Sequence, residues 1–254
     1  MRFLVAVIAL LIPFFSSARQ LTDYVHPWVG SSNFGTTNPG AVCPNGMMSI
    51  SPFNVTGSEK NKWDKDSRWW STPYTSDNCW FTGFSHVNLS GVGCPDLGTI
   101  ITMPTSGELT TDYKLYGSDY TGETAQPGYY ALKLSKYDIM AEVASTMRSS
   151  IERYTYRKGK AHVIVNLGQG LTNESGGFIR KVSDTEIEGM RLCGGFCYHS
   201  QAVFPQYFVV RVNKIPKEAG FWKKQPNMTA EAEWDEHAGK YKVYTDYALS
   251  LIHI

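Results

Sequence analysis

With 254 residues, the chain is long enough for one large domain or two small ones. Its hydrophobic content of 42% and aromatic content of 13% provide a sizeable core and exclude a disordered chain. A net charge of +1 excludes a strongly basic nucleic-acid-binding surface. Only 19% of the residues are charged, and Ser, Thr, Asn and Gly make up the polar balance, as expected of a loop-rich β protein.

The first residues have the pattern of a targeting segment. Arg2 supplies the positive start, residues 3–15 are apolar, and residues 16–18 form a small-residue cleavage site. The apolar run is too short to anchor the chain in a bilayer. We therefore predict a signal peptide over residues 1–18 and a mature domain over residues 19–254. The mature protein is expected to be exported, periplasmic or extracellular, with no membrane span after cleavage.

Short strands dominate the mature chain, and no segment shows a convincing amphipathic helix. We interpret residues 30–46 as loop, residues 58–66 as an exposed polar insertion, and residues 109–126 as polar chain leading into a loop. Strands of this length, about 8–12 residues apart, favour an all-β antiparallel sandwich. Alternation and residue type predict strands over residues 47–51, 99–103, 129–134, 139–146, 150–156, 162–167, 186–191 and 206–212.

The end of the sequence is an apolar run over residues 248–254, without a cap or a polar tail. As an exposed edge strand, such a run would promote aggregation. We interpret the chain as a fragment whose last few residues are open to question as native sequence.

The cysteines predict at least one free thiol, because their number is odd: Cys43, Cys79, Cys94, Cys193 and Cys197. The last two are four positions apart, which is looser than the C-x-x-C spacing of a zinc knuckle. No metal site is therefore predicted from them.

Residues 83–98 form the least regular stretch of the chain. Four glycines and a proline among sixteen positions exclude a regular helix and predict an ordered loop with close backbone approach or positive φ. A corner of the sandwich without any ligand is the alternative. Asp96, within this stretch, is expected to accept hydrogen bonds from loop amides. His86 has either a structural role or a binding role.

Four sequence blocks, in order, resemble glycoside hydrolase family 92, the exo-acting calcium-dependent α-mannosidases. GFSHVNLSGVGCPDLG at residues 83–98 is similar to the family signature GFSHxxLSGxGCxDxG. Residues 38–52 (NPGAVCPNGMMSISP), 127–130 (PGYY) and 153–156 (RYTY) resemble further blocks, and together they cover most of the mature chain. At residues 86–88 the chain has His-Val-Asn where many members have a second histidine, which indicates a distinct specificity group.

The resemblance implies the N-terminal β-sandwich, a supersandwich, of a larger enzyme whose helical (α/α)6 barrel is absent from this chain. It implies that the catalytic acid and base, and most ligands of a calcium ion, belong to that missing C-terminal domain. This chain would then have no catalytic residue or metal ligand and would be inactive alone. The implied partners are mannose-containing glycans and the missing domain.

Four residues are predicted to contact substrate. Trp69 and Trp70 lie in a dense aromatic segment that either fills the core or offers a flat platform to a sugar ring. Because neighbouring strand residues point to opposite faces, only one of the two would meet a ligand. His86 could bind a sugar hydroxyl or the interdomain surface. Phe196 lies in a glycine-flanked loop that resembles a region where the family projects an aromatic toward the sugar; core packing is the alternative.

Two functions remain open at this point. The first is the N-terminal domain of an exported α-mannosidase that hydrolyses terminal α-mannosidic bonds with inversion; the second is a non-catalytic carbohydrate-binding β-sandwich module. The resemblance favours the first because it extends over most of the chain. The carboxylates of this chain that could be nominated for catalysis are Asp77, Asp96, Glu142 and Glu152. Glu142 and Glu152 lie in predicted strands and are expected to be surface partners of Lys or Arg.

Overall fold

A computed structural model describes residues 20–65, 70–171, 176–194, 203–223, 233–235, 240–242 and 248–253, with side chains as far as residue 221. In this part of the chain, the regular structure is antiparallel β apart from a 3-10 turn (Leu21–Tyr24) and the short helix α1 (Tyr113–Tyr116). Neither of these helical segments is long and apolar enough to cross a bilayer. The predicted signal peptide, Trp69 and Phe196 lie outside the described residues.

The larger sheet has seven strands and forms the centre of the fold. From one edge to the other these are β1 (Ala41–Val42), β2 (Ser49–Phe53), β4 (Gly83–Asn88), β5 (Leu97–Ser106), β10 (Ala161–Asn166), β17 (Ala248–His253) and β14 (Glu218–Lys223). The eight inner residues of β5 are all buried. Both faces of this strand are covered, so its sequence lacks the alternation of a strand with one wet face.

A five-stranded sheet packs against the larger sheet and closes the sandwich. Its strands are β3 (Trp80–Phe81), β6 (Ser118–Gln126), β7 (Tyr129–Leu134), β8 (Ile139–Ser145) and β9 (Ser150–Tyr156). The main core lies between the two sheets. It includes the buried side chains of Ile50, Phe84, Met103 and Ile164 from the larger sheet and Phe81, Tyr130, Leu132 and Ile139 from the smaller one.

A three-stranded sheet contributes a second core: β11 (Gly177–Lys181), β12 (Glu186–Cys193) and β13 (Phe204–Arg211). Ile187 of this sheet packs with Ile100, Val165 and Leu167 on and beside the larger sheet. A separate two-stranded ribbon joins β15 (Glu233–Asp235) to β16 (Lys240–Lys242). The antiparallel β-sandwich predicted from the sequence is confirmed.

The strand predictions succeed where polar and apolar residues alternate. The bounds of β7 and β9 are those predicted, β8 ends one residue earlier than predicted, and β10 begins and ends one residue earlier. Two predictions of loop are wrong. Residues 118–126 form β6, and the start of the signature stretch forms β4, paired with β2 and β5. In β4, Gly83 is required because a Cβ there would lie 2.2 Å from Ile101 Cγ2.

The apolar run at the end of the sequence is not an edge strand. β17 pairs with β10 on one side and with β14 on the other, both antiparallel. Its backbone groups therefore have partners on both sides, and the run does not form the exposed edge that would promote aggregation.

Backbone strain is concentrated where β4 meets β5. The pairing shifts by a bulge between Phe84 and His86, and two β-branched residues beside it have positive φ: Val87 at 58° and Ile100 at 53°. Left-handed backbone is costly for such residues because their branched Cβ crowds the carbonyl oxygen. The strain surrounds His86, which suggests that the surrounding contacts hold this segment in place.

Val87→Gly is therefore expected to increase the free energy of unfolding by about 0.5–1 kcal/mol. Glycine releases roughly 1–2 kcal/mol of left-handed strain, against roughly 0.5–1 kcal/mol for its larger entropy in the unfolded chain. Val87 is only partly buried, so little apolar contact is lost. Urea unfolding measures the change, with Val163→Gly in β10 as a control that should lose stability. A lower stability for Val87→Gly would contradict the assigned strain.

Candidate functional site

Three loops of the described chain meet around residues 36–38. The carbonyl of Thr36 accepts a hydrogen bond from the amide of Gly91 at 2.8 Å, and the carbonyl of Thr37 accepts one from the Thr72 hydroxyl at 3.2 Å. The side-chain amide of Asn38 donates to the carbonyl of Leu89 at 3.4 Å. These bonds hold the loop before β1 against the loop between β4 and β5 and against the segment that follows residue 69.

Three aromatic side chains connect this loop surface to the interior; we call Phe34, Trp63 and Trp70 the aromatic group. The Phe34 and Trp63 ring centroids are 5.1 Å apart, Trp63 and Trp70 are 6.1 Å apart, and Phe34 lies nearly parallel to Trp70 at 6.3 Å. Phe34 is 68% exposed, Trp63 is partly buried and Trp70 is buried. The group therefore presents a flat apolar surface supported by a buried ring.

Asp77 brings charge to the edge of the aromatic group. Its Oδ2 accepts hydrogen bonds from the Asn33 amide at 2.6 Å and from the Trp63 indole N–H at 3.3 Å. The Lys62 ammonium lies 3.8 Å from Asp77 Oδ1 and 5.2 Å from the Trp63 ring centroid. An apolar surface bordered by a carboxylate and an ammonium group suits a ligand with an apolar face and several hydroxyls.

Of the two tryptophans predicted to form a platform for the sugar, only Trp70 lies in the described part of the chain. Trp70 is 4% exposed and packs with Phe53, Ile101 and Leu171, so it supports the aromatic group from below. Trp69 and Phe196 lie outside the described residues. The substrate contacts of Trp69, Trp70 and Phe196 stay predictions. Within the aromatic group, the side chains that reach the surface are Phe34 and Trp63.

His86 makes two internal contacts and is buried. Its Nδ1 donates to the Ile100 carbonyl at 2.6 Å, and its Nε2 lies 2.8 Å from Glu152 Oε1. Burial by itself lowers the pKa of His86, but the Glu152 carboxylate and the two hydrogen bonds raise it above the ordinary value. Both ring nitrogens are thus engaged, and contact between His86 and substrate stays a prediction.

Glu152 forms the other half of this buried pair. Burial raises the pKa of Glu152, whereas His86 and two hydroxyl donors lower it below the ordinary value overall. The Thr102 hydroxyl donates to Oε2 at 2.6 Å, and the Tyr154 hydroxyl is a second donor. Because Glu152 lies on β9 and His86 on β4, the pair joins the two sheets of the sandwich. The predicted surface role of Glu152 is therefore wrong, and its partner is a histidine.

A sequence profile for the glycosyl hydrolase family 92 N-terminal domain matches residues 24–250. This chain belongs to that family. A curated relative, an uncharacterized secreted glycosidase from Arthroderma benhamiae, is 28% identical over 150 residues. That alignment covers 54% of this chain and 18% of the relative.

Solved structures agree with the family assignment. The α-mannosidase BT3965 of Bacteroides thetaiotaomicron superposes on 93% of this family 92 domain with a TM-score of 0.74 and 27% identity. The inverting mannosidase BT2199 of the same species gives a TM-score of 0.63 at 19% identity, which supports the fold alone. The family 92 domain spans 31% and 30% of these two chains.

A second buried polar cluster of the family 92 domain lies behind the signature loop. The Arg191 side chain has no exposed surface, and its guanidinium donates to the carbonyl of Gln169. Asp96, 4% exposed, accepts a hydrogen bond from the Leu97 amide at 2.8 Å, as predicted for a loop aspartate. Burial raises the pKa of Asp96, while the Leu97 amide and the positive charge of Arg191 oppose this shift.

Three further predictions concern Glu142, the cysteines and metal ligands. Glu142 pairs with exposed Arg153, as predicted. Cys94 is in a disulfide, whereas Cys43, Cys79 and Cys193 are free, so the prediction of a free thiol is confirmed. Within the described ranges, no three His, Cys, Asp or Glu side chains converge as metal ligands. These residues by themselves do not fit a calcium site.

The sequence analysis missed Phe34 and Trp63 because both stand in segments interpreted as polar loop or insertion. The insertion is in fact well packed. Asn61 is 8% exposed, and its Oδ1 accepts hydrogen bonds from the amides of Cys79 at 3.2 Å and Trp80 at 3.0 Å. A single large aromatic inside a polar segment was the available signal, since such a residue needs a packing partner or a ligand.

Proposed function

We propose that this family 92 domain is the N-terminal part of an exported α-mannosidase, which hydrolyses terminal α-mannosidic bonds with inversion of configuration. In this proposal the domain contributes substrate contacts, and the rest of the enzyme supplies the acid, the base and most calcium ligands. The linkage that is cleaved is left open.

The observation that carries the proposal is the aromatic group with Asp77 and Lys62 at its edge. Pyranose rings have an apolar C–H face that packs on an aromatic ring, and hydroxyls that pair with charged side chains. Phe34 and Trp63 would take the first role, and the Asp77–Lys62 pair the second. Structural relatives named as α-mannosidases, one of them in complex with mannoimidazole, support mannose as the sugar. A relative described as secreted supports export.

The carboxylates considered for catalysis have internal partners. Asp96 and Glu152 bind within buried clusters, Glu142 pairs with Arg153, and Asp77 binds Trp63. An inverting mechanism needs one carboxylic acid to protonate the leaving oxygen and one carboxylate to activate water. This arrangement of the four is consistent with an acid and a base supplied from outside this chain. A calcium ion would add a Lewis acid to the completed cleft.

The binding role is tested by Phe34→Ala in the purified chain. We expect methyl α-mannoside to shift the NMR signals of the aromatic group in the wild-type chain. In the variant, the affinity for methyl α-mannoside should fall on the order of tenfold, the scale of one lost stacking contact. Phe204→Ala is the matched control, because it removes a surface phenylalanine from β13. It should leave the affinity unchanged.

Two results would contradict the binding role. One is equal mannoside affinity for wild type, Phe34→Ala and Phe204→Ala, with shifts away from the aromatic group. The other is preference for a sugar with the equatorial 2-hydroxyl of glucose over mannose. Melting temperatures recorded on the same samples separate loss of binding from loss of fold, and Phe34 is exposed enough for the variant to remain folded.

A further inference from the structure

A β-bulge in β6 directs one carboxylate toward the interior. Thr121 pairs with Lys133 and Thr124 with Ala131, so two residues of β6 face one residue of β7. The two residues of the bulge are Gly122, with φ of +65°, and Glu123, and they stand opposite Leu132. Bulges commonly redirect a side chain at functional sites. In this strand the redirected side chain is that of Glu123.

Two buried tyrosines hold one oxygen of this carboxylate. The hydroxyl of Tyr74 donates to Glu123 Oε1 at 3.0 Å, and the hydroxyl of Tyr130 donates to the same atom. Both tyrosines are 0% exposed. Among the described residues, the second oxygen of Glu123 has no hydrogen-bond partner, and it is not one of the buried unpaired atoms. One oxygen is therefore fixed, and the other is open to solvent.

Trp28 lies against the same two tyrosines. Its ring centroid is 6.2 Å from that of Tyr74 and 6.3 Å from that of Tyr130, tilted in both cases, and the side chain is 37% exposed. The indole covers the tyrosine rings while Glu123 covers their hydroxyls. A carboxylate and an accessible aromatic surface thus border one small region.

The charge of Glu123 lacks a counterpart in the part of the chain that is described. No Lys, Arg or His there forms an ion pair with it. Burial raises the pKa of Glu123, and the two tyrosine donors only partly offset this. A half-buried carboxylate gains most from a positive partner, because a neutral ligand leaves its charge uncompensated. An aromatic surface also attracts cations.

We propose that Glu123, Trp28, Tyr74 and Tyr130 form a binding site for an organic cation that bears a guanidinium or primary ammonium group. The cation donates to the open oxygen of Glu123 and packs on the indole of Trp28. Two sources offer this chemistry: an Arg or Lys side chain of a protein segment, and an amino sugar. The site shares no residue with the aromatic group and does not depend on the mannosidase proposal.

The test uses the purified chain and four probes. Nα-acetylarginine amide and glucosamine are the charged probes, and Nα-acetylcitrulline amide and N-acetylglucosamine are their neutral counterparts. The readout is the NMR shift of the Trp28 indole N–H, assigned by its loss in Trp28→Leu. We expect at least one charged probe to bind in the millimolar range and at least tenfold more tightly than its neutral counterpart. Which charged probe binds identifies the source.

Variants then locate the bound cation. Glu123→Gln keeps an acceptor for the tyrosine hydroxyls and removes the negative charge. The affinity for the charged probe should therefore fall at least tenfold. Trp28→Leu should weaken binding of the charged probe severalfold; because this variant lacks the indole signal, its binding is followed through the backbone amide shifts around Tyr130. Glu142→Gln, on β8 of the same sheet, is the control and should have no effect. Equal binding of charged and neutral probes to wild type would overturn the proposal without any variant. So would unchanged binding to Glu123→Gln.

Discussion

Glu152→Gln is expected to lower the free energy of unfolding by about 3–5 kcal/mol, the usual loss when one partner of a buried ion pair is removed. The substitution keeps the shape of the side chain and leaves His86 buried beside a neutral amide. His86 is 8% exposed, so its charged form is left without a counterion, and the loss is largest in mildly acidic solution, where His86 of the unfolded chain is protonated. Urea or thermal unfolding of the purified chain measures the loss.

The same variant should also reverse the pH dependence of stability. In wild type, the raised pKa of His86 means that its stabilising contribution is full below about pH 6.5 and is lost as pH rises through the folded-state pKa. Glu152 has a lowered pKa, so its contribution is present at neutral pH and is lost only in acid. Without the carboxylate, burial alone lowers the pKa of His86, and acidification then destabilises the fold.

The control for this experiment is Glu142→Gln. Glu142 lies on β8, and its partner Arg153 is exposed, so the substitution should change stability little at any pH. Stability curves from about pH 5.5 to about pH 8.5 would be compared for the three proteins. A wild-type slope that Glu152→Gln leaves intact would refute the assigned pair. So would a loss for Glu152→Gln no larger than that for Glu142→Gln.

The fold could be predicted from the sequence wherever one strand face is wet. Along β8 and β9, more buried and less buried positions alternate because the five-stranded sheet covers the main core with one side only. β4 could not be found in this way. It lies between two strands of the larger sheet, four of its six residues are buried, and its bulge breaks the period of two.

Less of the candidate site than of the fold could be predicted from the sequence, because the site depends on contacts between residues far apart in the chain. Asp77 meets Asn33 across a separation of 44 residues, and no local pattern indicates this. Glu123 gains its environment from a bulge in a strand whose sequence is mostly polar. Aromatic residues could be nominated by type, but only the packing separates exposed Phe34 from buried Trp70.

Arg191→Met is expected to lower the free energy of unfolding by about 3–5 kcal/mol as well, because it removes one charge from a buried cluster. Methionine has a similar length, so the loss reports charge and hydrogen bonding more than volume. The guanidinium also has no room to relocate. It packs directly against Gly170, where even an added Cβ would lie only 2.6 Å from Arg191 Nη1. The matched control is Arg211→Met, an exposed arginine on the neighbouring strand β13, which should lose little.

Asp96→Asn completes a double-mutant cycle with Arg191→Met. Asparagine keeps an acceptor for the Leu97 amide but leaves Arg191 without the nearby carboxylate. If the two charges stabilise each other, the double variant should lose less than the sum of the single variants, by about 1–3 kcal/mol. In Arg191→Met alone, the already raised pKa of Asp96 should rise further, so part of the loss should be recovered in acid. Strict additivity, with no recovery in acid, would mean that the Arg191 guanidinium and the Asp96 carboxylate do not stabilise each other.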